Sequence, residues 1–392
     1  MNNQLQHIKI KNFKTELGAL IPEMNLSYQV FGQDLGHAPV ILVNHALTGN
    51  SNVAGDLGWW QDIVGSGKAI DTNVYSVVSF NIPGNGFDGF LIENYKDFIA
   101  RDIANIFIEG LNQLKINQLF ALIGGSLGGG IAWEMMILEP KITQHFLPIA
   151  TDWKSTDWLI ANCQIQEQFL VNSSNPVHDA RMHAMLCYRT PTSFKERFHR
   201  SKNEDSSIFN VESWLLHHGK KLQERYQLSS YKLMNQLLKS IDVTNNGEKN
   251  IDILNQIEAN IHIIGVDSDL FFTAEENRET FKKLAFTKSN VTYNEIKSVH
   301  GHDAFLMEYD QLQKIIAPIF NKEYSAHKMK VLKFGGKSLA NNQGIKKAIE
   351  IILSKYNKVE KITIVASARG NTTNDLEVIL EKAAAKKEYK AA

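Results

Sequence analysis

A serine set among glycines is the first feature of this chain with evident chemical potential. In the segment "ALIGGSLGGGIAWE", residues 121–134, Ser126 lies between Gly124 and Gly128 in a G-x-S-x-G motif. The motif follows an apolar run and precedes a helical pattern, which is the context of a nucleophile elbow. Such a turn is so tight that the neighbouring residues must lack side chains, which explains the glycines. Ser126 is therefore a candidate nucleophile, and the N–H of Leu127 is a candidate oxyanion donor.

A nucleophile of this kind requires an acid and a base later in the chain, in the order Ser, Asp, His. The segment "GVDSDLFFT" offers Asp267 and Asp269, and the segment "SVHGHDAFL" offers His300 and His302. Each segment follows a predicted strand, at the sheet edge where active sites of parallel sheets form. The residues alone leave both pairs open. In every combination the base accepts the Ser126 proton and the acid orients the imidazole.

The second oxyanion donor is expected in a loop after an early strand. The segment "NHALTGNS", residues 44–51, occupies that place, and the N–H of Leu47 is the best candidate. Two N–H groups directed at a developing oxyanion lower the barrier by several kcal/mol, with roughly 3–4 kcal/mol for a single donor.

The elements that must position these residues are short apolar strands that alternate with helices. Nearly continuous apolar runs are typical of strands buried on both faces of a parallel sheet. They occupy residues 40–47, 75–81, 120–126 and 145–150. Apolar residues at helical spacing occupy residues 93–114, and helical patterns dominate residues 155–257. Strand patterns resume at 261–267 and 291–297, and residues 304–321 have the pattern of a closing helix. The pattern predicts an α/β fold with a mostly parallel sheet and a helical insertion.

A polar, charged segment at 322–330 predicts a linker to a second unit. Residues 331–392 begin with "VLKFGGKSL", a strand leading into a Gly-Gly turn, and continue with a helix and another strand. This βαβ fragment is too small for a complete α/β domain. The predicted organisation is a core at 1–154 and 258–321, a helical lid at 155–257, the linker and the fragment.

Composition narrows the classes of function. Among 392 residues, 42 Lys and Arg balance 42 Asp and Glu, so the charge gives no indication of a nucleic-acid or membrane partner. No run approaches the roughly 20 apolar residues of a membrane span, and the N-terminal segment lacks the apolar core of a signal peptide. Two cysteines, Cys163 and Cys187, fit neither a disulfide framework nor a metal site. We expect a cytoplasmic enzyme that acts on small molecules.

Several blocks together resemble the homoserine O-acetyltransferase family over roughly residues 8–321. The blocks are "NHALTGNSNV", "IGGSLGGGIAWEM", "ARMHAMLCYR", "VESWLLHHGKKLQERYQLSSYKLM", "GVDSDLFF" and "GHDAFL". The resemblance implies an α/β-hydrolase fold with a helical lid. It also implies transfer of acetyl from acetyl-CoA to the hydroxyl of L-homoserine, in methionine biosynthesis. Acetyl-CoA would be a cosubstrate, no cofactor would be bound permanently, and the chain would form a homodimer through its lid.

The same resemblance assigns the ambiguous residues. It implies that Asp269 is the acid, because the family's acid precedes a short hydrophobic run, and that His302 is the base. It implies that Asp303 receives the amino group of homoserine and that Arg181 and Tyr188 bind its carboxylate. A planar guanidinium suits a carboxylate because it can bind both oxygens.

Some positions depart from the family pattern, and alternatives stay open. The family often has cysteine where this chain has Asn44 and proline where it has Thr273. Arg225 also matches a family block. Its role, either in a structural ion pair or in a contact with the substrate, stays open. A succinyl-CoA-dependent transferase on the same scaffold is one alternative. A plain esterase or thioesterase is the other, although it would not need Arg181, Tyr188 and Asp303.

The C-terminal blocks "MKVLKFGGKSLANNQGIKKA" and "KITIVASARGNTTNDL" resemble the start of the aspartate kinase family. Lys333, Gly335, Gly336 and Ser338 match its nucleotide-binding start, whereas Lys337 stands where the family usually has threonine. Backbone N–H groups in such a turn, with a lysine nearby, can hold phosphate. The family requires several hundred residues, so we expect no kinase activity from this chain and expect it to derive from a longer, bifunctional protein.

Overall fold

An eight-stranded sheet forms the centre of the first of two units into which the chain divides, Met1–Ile316 and Ala317–Ala392. The computed structural model describes residues 4–202, 207–244, 251–320, 329–336, 339–356 and 361–366. The strands of the first unit are β1 (Gln6–Lys14), β2 (Leu20–Gly32), β3 (Val40–Asn44), β4 (Val64–Gly65), β5 (Ile70–Asp71), β6 (Ser76–Phe80), β7 (Leu119–Gly125), β8 (Thr143–Ile149), β9 (Asn260–Val266) and β10 (Val291–Ile296).

The spatial order of the large sheet is β1-β2-β6-β3-β7-β8-β9-β10, and β4 pairs with β5 in a separate small sheet. The strands from β6 to β10 run parallel, whereas β2 is antiparallel to both of its neighbours. Every residue of β3 and of β6 is buried, as expected for parallel strands covered on both faces. The predicted α/β fold with a mostly parallel sheet is confirmed.

Strand β1 is an element that the sequence analysis did not predict. Its buried Ile8 and Ile10 alternate with exposed Lys9 and Lys11, which is the pattern of an antiparallel edge strand with one solvated face. The register pairs Ile8 with Leu26 of β2. The alternation was present in the sequence and was overlooked.

Nine helices belong to the described part of the first unit or end just after it. They are α1 (Ala100–Gln113), α2 (Leu127–Leu138), α3 (Asp157–Asn172), α4 (Pro176–Tyr188), α5 (Pro191–Phe198), α6 (Asn210–Gln223), α7 (Leu228–Lys239), α8 (Ala274–Thr287) and α9 (Tyr309–Phe320). Short 3-10 helices occupy Tyr95–Asp97, Ile251–Gln256 and Gly301–Leu306. Helix α1 begins later than predicted because the Asp102 carboxylate accepts the N–H of Ile99 at 2.8 Å and caps the helix there.

Helices α3–α7 form an insertion between β8 and β9, in the span where the sequence predicts a lid. The chain enters and leaves this insertion at one place. The N–H of Ser155 donates to the carbonyl of Ile241 at 2.8 Å, and that of Val243 donates to the carbonyl of Trp153 at 3.3 Å. The two ends of the insertion are thus hydrogen-bonded to each other beside the sheet.

A buried ion pair ties this junction to the core. Arg101 Nε of α1 lies 2.8 Å from Glu134 Oε2 of α2, and the two side chains are 10% and 1% exposed. Arg101 also donates to the carbonyl of Val243 at 2.7 Å, and Glu134 accepts the N–H of Asp242 at 3.2 Å. Burial raises the pKa of Glu134, and the charge of Arg101 acts against that shift. The pair therefore connects two core helices with the return segment of the insertion.

We predict that Arg101→Leu lowers the free energy of unfolding by about 3 kcal/mol, because it leaves the buried Glu134 carboxylate without its counter-charge. Denaturant titration measures the loss. The control is Lys141→Leu, which breaks the exposed pair with Glu258 at 3.0 Å and is expected to change stability by no more than about 0.5 kcal/mol. Equal effects of the two substitutions would contradict the role given to the buried pair.

The second unit contains β11 (Met329–Phe334), α10 (Asn342–Tyr356) and β12 (Lys361–Ala366). The two strands are parallel and are joined through the helix, which is one βαβ unit. The predicted linker at 322–330 lies outside the described residues, except for its last two residues, which begin β11. The last residues of the chain, "EKAAAKKEYKAA", also lie outside them.

Candidate active site

The backbone of Ser126 explains the glycines that surround it. Ser126 joins β7 to α2 with φ at +54°, a region that residues with a side chain rarely adopt. A Cβ atom on Gly124 would collide with the carbonyl of Gly128, and one on Gly128 would collide with the carbonyl of Asn44. Strain of this kind is characteristic of nucleophile positions, where the surrounding structure holds the backbone in place.

Three buried side chains that are distant in sequence form one hydrogen-bonded chain at this turn. His302 Nε2 lies 2.8 Å from Ser126 Oγ, and His302 Nδ1 lies 2.7 Å from Asp269 Oδ2. The other carboxylate oxygen of Asp269 accepts the N–H groups of Phe271 at 2.7 Å and Phe272 at 3.0 Å. One oxygen is thus held by the backbone while the other orients the imidazole, as general-base activation of a serine requires.

The structure distinguishes between the two candidate aspartates and between the two candidate histidines. Asp267 accepts the N–H of Ser298 at 3.0 Å and lies near Lys297, while His300 Nδ1 lies 3.1 Å from Ser193 Oγ. Neither side chain joins the chain of hydrogen bonds that ends at Ser126. The geometry therefore brings together Ser126, His302 and Asp269.

Aromatic rings surround the imidazole of His302. The ring centroids of Phe271, Tyr188, Phe305 and Phe272 lie 5.1, 5.5, 5.7 and 5.8 Å from that of His302. This surface excludes water from the imidazole and strengthens its interactions with charged groups.

The two predicted oxyanion donors lie on the segments that follow β3 and β7. Leu127 is the first residue of α2, so its N–H has no acceptor inside the helix. Leu47 follows β3, whose end touches α2 at Gly128. Within the described residues neither N–H donates to a protein acceptor, although Leu47 and Leu127 are both buried. A buried, unpaired N–H directly after a strained serine, as at Leu127, is what an oxyanion hole requires, and the unpaired N–H of Leu47 is compatible with the second donor.

The helical insertion contributes Arg181 and Tyr188, and the structure brings them together. The guanidinium of Arg181 lies 5.5 Å from the centre of the Tyr188 ring. Burial raises the pKa of Tyr188, so its hydroxyl stays protonated. Burial also lowers the pKa of His218 to about 4, and the positive charges of Arg181 and Arg189 act in the same direction. This side of the site thus carries a positive field suited to an anionic substrate.

Asp303 has a partner that the sequence analysis did not predict. Its Oδ2 lies 3.0 Å from Arg189 Nε, in an ion-pair contact without an aligned hydrogen bond. Arg189 directly follows Tyr188, and this position is the only feature of the sequence that associates Arg189 with the site.

Two further lid residues hold the loop that carries Leu47. Tyr226 donates its hydroxyl to the carbonyl of Leu47 at 2.9 Å, and Arg225 Nη1 donates to that of Thr48 at 3.2 Å. The sequence alone leaves open the role of Arg225 and gives no separate signal for Tyr226.

The predicted nucleotide-binding residues lie in the second unit. Lys333 is exposed on β11, Gly335 and Gly336 follow that strand, and Ser338 lies outside the described residues. No cluster of three His, Cys, Asp or Glu residues suited to a metal ion occurs in the described ranges. Nor is any helix in those ranges long and apolar enough to cross a membrane.

A class of protein follows from the fold and the site together. The sheet is mostly parallel, a strained serine lies at its edge, and an imidazole and a carboxylate are hydrogen-bonded in line with that serine. The protein is an enzyme of the α/β-hydrolase fold, and residues 39–157 match the family model described as alpha/beta hydrolase fold. Residues 328–391 match the model of the amino acid kinase family.

Comparison with individual proteins narrows this class. The homoserine O-acetyltransferase of Methanococcus vannielii is 31% identical over 86% of this chain and 76% of its own length. The homoserine O-succinyltransferase of Nitrosomonas europaea is 28% identical over 78% of this chain and 92% of its own length. The chain belongs to the homoserine O-acetyltransferase family and is an acyltransferase, as the sequence analysis predicts.

Solved structures agree in fold. The homoserine O-acetyltransferase of Staphylococcus aureus matches with a TM-score of 0.70 and 23% identity, over 81% of this chain and 95% of that chain. Esterase E22 matches with a TM-score of 0.72 and 18% identity, over 81% of this chain and all of that chain. The likeness to these two structures defines the fold alone.

Proposed function

We propose that this chain transfers an acetyl group from acetyl-CoA to the hydroxyl of L-homoserine by a ping-pong mechanism. The observation that carries the proposal is the position of Tyr188. Its ring packs against the His302 imidazole and also lies beneath the Arg181 guanidinium. A cationic group suited to a carboxylate thus adjoins the base that would activate the acceptor hydroxyl.

In the first half of the reaction, His302 accepts the proton of Ser126 while its Oγ attacks the thioester carbonyl. The tetrahedral oxyanion is stabilised by the N–H groups of Leu47 and Leu127. Collapse of this intermediate breaks the C–S bond, His302 returns the proton to the departing thiolate, and acetyl-Ser126 remains. Asp269 keeps the imidazole in the required tautomer throughout.

In the second half, homoserine binds with its carboxylate on Arg181 and Tyr188 and its ammonium on Asp303. His302 accepts the proton of the side-chain hydroxyl, whose oxygen attacks the acetyl group. Collapse releases Ser126, which regains the proton, and yields O-acetylhomoserine. Asp303 would bind the ammonium beside its contact with Arg189, whose Nε lies 3.0 Å from Asp303 Oδ2.

A succinyl donor is the second candidate, because the relative from Nitrosomonas europaea is named as a succinyltransferase. The test is thiol release from acetyl-CoA and from succinyl-CoA, each with and without L-homoserine. Homoserine-dependent release that prefers acetyl-CoA supports the proposal. A preference for succinyl-CoA changes the donor and keeps the mechanism. Release that is indifferent to homoserine would identify a hydrolase and would remove the roles of Arg181, Tyr188 and Asp303.

We predict that Arg181→Met raises the KM for homoserine about 100-fold, the loss expected for a charge-assisted contact to a carboxylate. The thiol burst that accompanies acylation should persist, because the first half-reaction does not use Arg181. The control is Arg197→Met, since the Arg197 guanidinium also lies over aromatic rings, 5.5 Å from Phe198 and 5.4 Å from Trp214. An unchanged KM in the Arg181 variant would contradict the proposed carboxylate site.

We also infer a homodimer through the lid and a reducing, cytoplasmic setting. Helix α3 exposes three large apolar side chains, Trp158, Ile165 and Val171, and such a surface favours association. Cys163 and Cys187 are both free thiols. Sedimentation equilibrium tests the dimer, and a monomer at all concentrations would refute it.

For the second unit we propose an origin in a bifunctional protein that joins this transferase to an aspartate kinase. The match of residues 328–391 to the amino acid kinase family supports this proposal. We expect no phosphorylation of aspartate by the chain itself, and ATP-dependent formation of aspartyl phosphate would overturn that expectation.

A further inference from the structure

His45 is a fully buried imidazole that the mechanism above does not use. It follows the last residue of β3 and precedes the loop that carries Leu47. Its Nδ1 lies 2.8 Å from the carbonyl oxygen of Ala46, and its Nε2 accepts the N–H of Ile82 at 3.0 Å. Asn85 Nδ2 is a more distant donor to Nε2 at 3.4 Å, and the contacts with Ala46 and Ile82 are the two short ones.

These two contacts define the tautomer of His45. A backbone N–H can only donate, so the Ile82 contact requires an unprotonated Nε2. The ring proton is therefore on Nδ1, where it is donated to the carbonyl of Ala46. Burial lowers the pKa of His45 to about 4, which agrees with a neutral ring.

The carbonyl of Ala46 and the N–H of Leu47 belong to the same peptide group. That group is planar, so the direction of its carbonyl determines the direction of its N–H. The Ala46 carbonyl accepts a second hydrogen bond from the N–H of Gly49 at 2.8 Å. A Cβ atom on Gly49 would lie 2.9 Å from the Cβ of His45, so the loop turns closely around the imidazole.

We propose that His45 is a positioning residue for the oxyanion hole. By donating from Nδ1 to the Ala46 carbonyl, it holds the Ala46–Leu47 peptide plane and directs the Leu47 N–H away from itself. The same hydrogen bond polarises the peptide and makes its N–H a stronger donor, since hydrogen bonds in series reinforce one another. This inference rests on the proposed function only in requiring that Ser126 be acylated through an oxyanion held by Leu47.

Two substitutions separate the roles of the two ring nitrogens. His45→Asn places an amide N–H close to the position of Nδ1 and removes the acceptor for Ile82. His45→Gln places an amide oxygen close to the position of Nε2 and removes the donor to Ala46. We measure the rate of Ser126 acetylation by p-nitrophenyl acetate, and thiol release from acetyl-CoA with L-homoserine.

We expect His45→Gln to lower the acylation rate about 100-fold, near the lower end of the range for removal of one oxyanion donor. We expect His45→Asn to lower the same rate less than tenfold. Acylation and deacylation should slow alike, because both pass through an oxyanion, and the binding of homoserine should not change. The control is His262→Gln, which removes a different half-buried imidazole, 3.1 Å from His145, and should lower only the melting temperature.

The proposal would be overturned if the two His45 variants lost the same acylation rate and if that loss followed their melting temperatures. His45 would then be a structural residue. The unmodified protein offers a measurement that does not depend on how the variants fold. With 15N-labelled histidine, the NMR spectrum reports which nitrogen of His45 carries the proton, and a proton on Nε2 would refute the inference. If Ser126 is acetylated but homoserine is not required, the proposed function fails and the role of His45 stands.

Discussion

Replacing Ser126 by alanine is expected to reduce homoserine-dependent thiol release by at least about 10⁴-fold and to abolish the acetylated enzyme. The serine oxygen is the only group on the strained turn between β7 and α2 that lies within hydrogen-bond distance of the His302 imidazole among the described residues. The fold should survive, because alanine adopts the same backbone at little additional cost. Removal of one buried hydroxyl also leaves the Asp269–His302 contact in place.

The measurement combines steady-state thiol release with intact-protein mass spectrometry after exposure to acetyl-CoA. Ser193→Ala is a matched control, since Ser193 is also a buried serine in contact with a histidine, His300. It should keep both turnover and the acetylated intermediate. An acetylated Ser126→Ala protein with normal turnover would show that the nucleophile lies elsewhere.

Replacing His302 by glutamine is expected to slow acylation by about 10⁴- to 10⁶-fold, because no other side chain in the described part of the chain contacts Ser126 Oγ and could accept its proton. The neighbouring His300→Gln variant should lose less than tenfold, since its ring contacts Ser193 and not Ser126. The two substitutions remove the same chemical group two residues apart, and the melting temperatures of both variants separate the loss of the base from a loss of stability.

The readout is the pre-steady-state burst of thiol release. The wild type and His300→Gln should show the same burst amplitude, with burst rates within tenfold of each other. His302→Gln should lose the burst. If His300→Gln slowed acylation more than His302→Gln, the base would be His300. The loop between β10 and α9 would then have to be rearranged.

The order and spacing of chemical groups were predictable because they depend on local sequence. The glycines around Ser126 are required by the turn itself, and the apolar runs of β3 and β6 require burial on both faces. The helical insertion was also recognisable from its periodicity. Strand β1 was missed although its alternation is regular, so that omission reflects the interpretation and not the physics.

The choice between Asp267 and Asp269, and between His300 and His302, illustrates what the residues alone left open. All four side chains lie in two loops at the same sheet edge, and their chemistry is identical within each pair. The resemblance to a family indicated one member of each pair. The geometry agrees, because Asp269 is held by the N–H groups of Phe271 and Phe272 in a position that faces His302.

By itself, the amino-acid sequence determined the class of fold, the candidate nucleophile and the set of groups that could assist it, since turn strain and strand burial are local properties. Only the tertiary structure decided which groups meet. The contact of Arg189 with Asp303 and the hydrogen bond from the Ile82 N–H to His45 depend on how distant segments close around the sheet. Side-chain partners across such distances are selected by the packing of the whole core, and no local pattern encodes that selection.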